Sequence, residues 1–304
     1  MITFLFQKIL INKDIRVYKK NIFYYLLFRI FRNFLKGFII VNINNFKIYA
    51  STNKKKASHS ILKKCDFDDI DETGILKKIS NIKKVFLLDC GCNYGFYSFF
   101  TASLSTKNKI LAYEASSSTI KEFNKNLSLN SFKNINCKNL AISDENDKII
   151  KFNESENDWE SSINHGSFNK KIISKIKTTT IDSELRDYDL ENFILCIKLD
   201  VEGSEFDAIR GANETIKKYA PIFIIEISKY NINQMNLNFQ FFKNFLIEND
   251  YIIFDLYQNE VKIEEIKKRI TEVGINNDTI GNFYLLKNND EIKKIFKKNE
   301  RPVK

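Results

Sequence analysis

Past residue 80 the chain alternates short apolar runs with longer stretches in which apolar positions recur every three or four residues. Runs at 85–88, 110–113, 135–142, 194–199, 222–227, 251–256 and 283–286 predict seven strands, and the periodic stretches 97–104, 118–129, 204–218 and 237–249 predict helices between them. Strands alternating with helices build βαβ units, so the pattern predicts an α/β fold: a doubly wound, mostly parallel seven-stranded sheet covered on both faces. The last two runs are separated only by a short charged stretch, 261–269, and are expected to pair antiparallel at an edge. Residues 144–180 interrupt the rhythm. They are polar, with strand-like pieces at 148–152 and 175–180 around Trp159, and read as an insertion before the fourth strand.

The first segment follows a different pattern. Residues 21–41 are apolar enough to suggest a membrane span, but Arg29, Arg32 and Lys36 interrupt them. A span needs about 20 predominantly apolar residues, and each cation near its middle costs about 2.5–3.5 kcal/mol, so a transmembrane helix is rejected. The cations fall at i, i+3 and i+7, with Phe23, Leu26, Leu27, Ile30 and Phe34 mostly opposite, which predicts an amphipathic helix. It either packs on the main domain or a second subunit, as in a homo-oligomer, or lies in a membrane interface through residues 20–41. The division expected is a basic extension, 1–45, a main domain, 46–290, and a charged tail, 291–304.

Charge sharpens that division. The net charge of +10 comes from 48 Lys and Arg against 38 acids; residues 1–60 hold 12 of the cations and one acid, Asp14, leaving the remainder nearly neutral. The asymmetry argues against a nucleic-acid groove in the main body and for an anionic surface touching the first segment. Met1 to Leu10 lacks a basic start and no small-residue cleavage site follows, so no cleavable signal is expected. The five cysteines are odd in number, and Cys90 and Cys92 have only His59 and His165 as histidine company. Neither a disulfide framework nor a zinc site is expected, and the cytoplasm is the expected compartment.

The first strand of the main domain stops at an acid: Asp89-Cys90-Gly91-Cys92-Asn93-Tyr94-Gly95. Gly91 and Gly95 allow a sharp turn and close approach of a ligand, and Asp89 accepts from a ligand amine or orders the turn. Glu114 ends the next strand, where a carboxylate can take both hydroxyls of a ribose. Taken singly, the glycines read as turn residues and Glu114 as a solvated strand end; together, one βα unit apart, they favour a nucleoside. Asn93 stands where a dinucleotide fingerprint needs its second glycine, and no phosphate loop G-x-x-x-x-G-K-[ST] is present. A cofactor with adenine and ribose but no phosphate is S-adenosylmethionine.

These blocks resemble the FkbM-type S-adenosylmethionine-dependent methyltransferases. LLDCGCNYG is similar to that family's cofactor turn, and AYEAS, 112–116, to its ribose-binding strand end. NINCKNLAISDENDKI resembles its third strand and the small-residue turn beside adenine; TTTIDSEL, IKLDVEGSEFDAIRGA and PIFIIEI resemble its closing blocks. The resemblance runs from about residue 40 to 230, and Asp200-Val201-Glu202-Gly203 is its most diagnostic part. It implies a class I, Rossmann-like methyltransferase whose cofactor residues are Asp89, Gly91, Asn93, Gly95, Glu114, Ala115, Ala141, Ser143 and Asp144. Cys90, Cys92 and the Ala115-Ser116 pair depart from the family pattern at positions that tolerate change.

Methyl transfer from a sulfonium is an in-line displacement, so the protein must bring an acceptor to the methyl, and a hydroxyl acceptor must also lose its proton. Asp200, ending the fourth strand, is the first candidate for general base. Glu202 follows it, with helix capping as an equal alternative, and Glu205 reads as a structural first-turn acid. Glu226 closes the fifth strand as a substrate contact. His165 in the insertion could serve as a base, since histidine titrates near neutrality, but the exposed loop residue is the favoured reading. Trp159 offers a plane for a sugar, with burial as its alternative. Asp200 and Glu226 could donate oxygens to a metal, but no third ligand stands at a recognisable spacing, and none is expected. The expected activity is O-methylation of a hydroxyl, which the resemblance places on a sugar of a surface glycan or lipopolysaccharide or on a related metabolite; the basic amphipathic first segment is compatible with a lipid-linked acceptor at the inner membrane surface. A catalytically silent nucleoside-binding scaffold and an RNA methyltransferase are the alternatives.

Overall fold

The computed structural model describes residues 14–20, 25–26, 28–30, 36–65, 70–154, 172–228, 239–272 and 280–289. Its strands, in chain order, are β1 Phe38–Ile43, β2 Phe46–Ser51, β3 Lys84–Cys90, β4 Lys109–Tyr113, β5 Ile135–Lys138, β6 Ala141–Ile142, β7 Ile149–Glu154, β8 Ile172–Thr179, β9 Phe193–Leu199, β10 Ile222–Ser228, β11 Tyr251–Phe254, β12 Glu260–Val261 and β13 Ile280–Lys287. The main sheet has the order β12-β11-β13-β10-β9-β3-β4-β5. Strands β5, β4, β3, β9 and β10 are parallel, and β13 inserts antiparallel between β10 and β11. All seven expected strands are present, and the two-residue β12 adds an eighth at the edge. The third expected strand is really two. Its first part pairs with β4, whereas Ala141 and Ile142 leave the main sheet to pair with β8 in a small sheet ordered β6-β8-β7. That small sheet is the body of the insertion.

The helices are α1 Arg16–Lys19, α2 His59–Lys64, α3 Ile70–Ser80, α4 Phe96–Leu104, α5 Thr119–Ser128, α6 Ile181–Leu185, α7 Glu205–Arg210, α8 Asn213–Tyr219, α9 Phe239–Glu248 and α10 Ile263–Glu272. One helix expected over 204–218 is two, because it breaks at Gly211, where a Cβ would lie 2.3 Å from the Ser143 carbonyl oxygen. Alternate residues of the central strands feed two cores. Val85, Leu87, Ile110, Ala112, Cys196, Ile222 and Ile224 pack with α3, α4 and the β1–β2 hairpin. Phe86, Leu88, Leu111, Leu195, Ile197, Phe223 and Ile225 pack with α6 to α9. Burial on both faces explains why these strands are continuous apolar runs rather than alternating ones.

The N-terminal expectation needs correction. Phe38 to Val41 belong to β1, not to a helix, and the hairpin turn at Asn44-Asn45 sits where composition ends the extension. Residues 25–26 and 28–30 are helical, but the buried one among them is Phe28, its ring tilted against Tyr18 with centroids 5.3 Å apart. Leu26 and Ile30 share a face, as i and i+4 must, yet that face is open: they are 49% and 58% exposed, beside exposed Arg29. Among the described residues no helix is long and apolar enough to cross a membrane.

The hairpin lies over the site's supporting helices. Phe46 sits 6.4 Å from Phe96 and 6.0 Å from Phe99 on α4, and Asn126 within α5 and Asn130 just after it accept from the amides of Tyr49 and Lys47 respectively. Asn126 also donates to the Tyr94 carbonyl.

Candidate active site

Strand order reverses between β3 and β9, since β3 continues towards β4 and β9 towards β10. Ligands of open α/β sheets bind outside the carboxyl ends at such a point. Here those ends are tied together: the Asp200 amide donates to the Cys90 carbonyl at 3.2 Å, and a Cβ on Gly91 would lie 1.8 Å from the Asp200 carbonyl oxygen. Gly91, at φ +78°, is therefore required by the neighbouring strand end, not only by a ligand. Gly95, at φ +98°, has the same kind of reason, because a Cβ there would meet the Phe99 ring at 2.4 Å.

Around this junction the turn supplies one set of acids. Asp89 is fully buried; Ser98 donates to its Oδ2 at 2.6 Å, and its Oδ1 has no hydrogen-bond partner. Burial raises its pKa, against the pull of Lys198 and Ser98. Asn93, at φ +48°, likewise has a buried Oδ1 without a partner. Glu114 accepts the Asn93 amide on Oε2 at 2.9 Å and the Ser116 amide on Oε1 at 2.8 Å. Burial pushes its pKa up to about 7 despite those two amides. A carboxylate has about four acceptor positions, so Glu114 keeps capacity for more donors. Unpaired buried acceptors beside a half-used carboxylate fit a ligand rich in donors and positive charge.

The small-residue positions divide. Ala115 packs against the cluster of Ala141, Phe152 and Ile176, so those two alanines meet where the insertion joins the main sheet. Ser143 and Asp144 are engaged otherwise: the Ser143 hydroxyl donates to Asp144, and Asp144 lies 3.6 Å from Arg210 at the end of α7.

The second set of acids follows β9 and ends β10. Leu199 pairs with Ile225, which brings Asp200 beside Glu226, and Glu202, at φ +51°, turns back towards both. One carboxylate oxygen from each of Asp200, Glu202 and Glu226 lies within 4.8 Å of the others. These are hard oxygen donors of the type that divalent cations accept, and Glu202, read in the sequence as a base candidate or a cap, is the third donor that its spacing did not reveal. Lys198 Nζ already lies 2.8 Å from Asp200 Oδ2. Burial works to raise the Asp200 pKa, but the Lys198 ammonium and a hydrogen bond from Glu226 hold it below its ordinary value. Glu226 is driven well above its ordinary value by burial and by the Asp200 charge. The two shifts run in opposite directions, so a proton shared by the pair favours Glu226 over Asp200. Glu205 is occupied with the turn: its carboxylate accepts the amides of Val201 and Gly203, and burial pushes its pKa up to about 7. Glu205 thus braces the turn before α7, and Glu202 belongs to the acidic trio. His165 and Trp159 lie outside the described residues.

The sequence profile of the methyltransferase FkbM domain matches residues 89–253, more than half of the 304-residue chain. The chain belongs to the FkbM methyltransferase family. Both acid sets lie inside the matched region. Among solved structures, the FkbM methyltransferase of Methylobacillus flagellatus KT is similar at 14% identity and TM-score 0.39, over 74% of this chain and 52% of that one. The chain therefore aligns with about half the length of that relative. TYW2 of P. horikoshii, in complex with MeSAdo, shares 14% identity over 83% of this chain and 73% of that one, with TM-score 0.40. An rRNA methylase of Streptococcus thermophilus shares 12% over 71% and 93%, with TM-score 0.38. No curated protein matches the chain.

Two features of this FkbM domain were missed in the sequence. Lys198 is one; a lysine inside the apolar run Phe193–Leu199 was itself the signal. Glu184 on α6 is the other. It accepts from Tyr113 and Lys138, both at 2.5 Å, and from Thr179 at 2.9 Å, so it fastens the insertion's returning strand to β4 and β5. Those donors hold its pKa low although burial opposes them.

Proposed function

We propose that the protein is an S-adenosylmethionine-dependent O-methyltransferase acting on a hydroxyl. The observation that carries this reading is the junction itself, where the turn 89–95 touches Asp200 through Gly91. The cofactor supplies, when bound, a methyl group on a cationic sulfur. Asp89 and Asn93, whose buried oxygens have no partners, would take the donors of the methionine part, and Glu114 the ribose hydroxyls. Ala115 and Ala141 would border the adenine, with Gly91 and Gly95 shaping the turn; Ser143 and Asp144 are kept as adenine-side candidates. A cluster of acids around one buried lysine complements a cationic ligand. Asp200, ionised, would receive the acceptor's proton, while Glu226, carrying a proton, and Glu202 line the acceptor's side.

The acceptor we propose is a sugar hydroxyl of a surface glycan or lipopolysaccharide, or a related metabolite. The family resemblance supports it, and the exposed Leu26 and Ile30 beside Arg29, in a segment of strong positive charge, support work against the inner membrane surface from the cytoplasm. Trp159 and His165, in the insertion, are proposed to meet that acceptor. Incubating the protein with methyl-labelled cofactor and cell-envelope fractions from a strain lacking it tests the reading. Label should enter a glycan fraction; label in RNA, or in no fraction while the cofactor binds, would overturn it.

A further inference from the structure

Lys198 lies in the middle of the main sheet with its side chain 6% exposed. A buried ammonium without counter-charge would give up its proton, so its neighbours matter. Asp200 Oδ2 lies 2.8 Å away, and the face of Tyr97, on α4, has its centroid 4.7 Å from Nζ. Asp89 pairs with Lys198 across β3 and β9, so a second carboxylate stands on the same face of the sheet. The groups that face Asp200 are Lys198 on its own strand, Glu226 on β10, Asp89 on β3, Glu114 after β4, and Glu202 and Glu205 on the turn into α7. Lys198 is the one cation in that set.

We propose that Lys198 is the positioning residue of the acceptor side: clamped between Asp200 and the Tyr97 ring, it fixes the rotation of the Asp200 carboxylate and leaves that group's remaining lone pairs to the acceptor hydroxyl. It touches neither cofactor nor acceptor. Its charge keeps Asp200 ionised, and the proton shared with the facing carboxyl stays on Glu226. Without it Asp200 would stand among five acids, and the group meant to accept a proton would already hold one. The proposal rests on the reading of Asp200 as the acceptor's base.

The test is a carboxyl ¹³C NMR titration of the full chain labelled at aspartate and glutamate, with D200N assigning the Asp200 resonance. In the wild type that resonance stays ionised to below the ordinary aspartate range. In K198M its midpoint should move up by about 1–3 pH units, the span by which an adjacent opposite charge shifts a carboxylate. K198R should return it to near the wild-type position, which a purely space-filling lysine would not require. An unmoved midpoint in K198M, or a K198R midpoint matching K198M, overturns the proposal. If K198M does not fold by circular dichroism, K198M/D200N takes its place. Removing both partners should restore folding, and a double variant that stays unfolded gives Lys198 a role independent of Asp200 and overturns the proposal as well. Calorimetry with adenosylhomocysteine and the envelope labelling read the proposed function separately, so either result can fail while the other stands.

Discussion

Glu114 and Asp200 end, or follow, the two strands that flank β3, yet they are held by different means. Glu114 is gripped by backbone amides of its own turn and of the turn at 93, and burial lifts its pKa to about 7. Asp200 is gripped by side chains, the Lys198 ammonium and the Glu226 carboxyl, and its pKa is lowered. An acid held by backbone moves only when its loop moves, and its charge is left for a ligand to stabilise. One held by side chains keeps its charge beforehand and answers to single substitutions. The half proposed for the cofactor is therefore built as a shape and the half proposed for the acceptor as a balance of charges.

The largest effect should separate the halves outright. D200N is expected to lower methyl transfer to the labelled fraction by about 10²–10⁴-fold, the usual worth of a general base, while adenosylhomocysteine binds within about threefold of wild type. Loss of both together would mean that the halves are one. E114Q should do the reverse. Gln offers one acceptor oxygen where two amides and a ribose need partners, so calorimetry should show cofactor binding weakened by about 10–100-fold, the worth of a charge-assisted hydrogen bond.

Acidity gives a smaller and signed effect. Glu114 has its pKa raised from an ordinary 4.5 to about 7, so the folded chain binds more protons than the unfolded chain between those values. Its contribution to stability therefore declines as pH rises from 4.5 to 7. Ribose hydroxyls donate to the ionised form, so cofactor binding should expel that proton and tighten with rising pH, by at most about tenfold per unit below 7, then level off. Titration in buffers of different ionisation enthalpy would reveal the proton; an affinity flat from pH 6 to 8 would contradict the assignment. Asp200 has the opposite sign, because its stabilising charge is present above the ordinary aspartate range and is lost as pH falls through its lowered value. The smallest effect is expected of E226Q. Burial and the Asp200 charge raise the Glu226 pKa well above its ordinary value, and Gln keeps a donor for Asp200, so stability should change by no more than about 0.5 kcal/mol in thermal melting.

Spacing made the cofactor half legible: an acid, two glycines and a second acid one βα unit later are local in sequence. The seven strands were legible for the same reason, since burial on both faces leaves continuous apolar runs. What escaped depends on contacts between distant strands. Lys198 meets the Tyr97 ring only once α4 packs on the sheet, Glu202 turns towards Asp200 and Glu226 only through a left-handed backbone, and Glu184 finds Tyr113 and Lys138 only after the insertion folds back. The break between β5 and β6 was hidden because both pieces are apolar; which sheet each joins is decided by partners, not by composition. Gly91 and Gly95 were found for an incomplete reason, a ligand, when Asp200 and Phe99 exclude a side chain there first.

Asn126 spans two parts of the molecule with one amide group: its oxygen takes the Tyr49 amide of the hairpin and its nitrogen serves the Tyr94 carbonyl, inside the glycine loop. The hairpin begins immediately after the basic leading segment, at Phe38. Asn126 is thereby a polar tie between the strands that follow the basic segment and the turn at 89–95, laid beside the apolar seam of Phe46 with Phe96 and Phe99, so the position of the loop is referred to the hairpin through both.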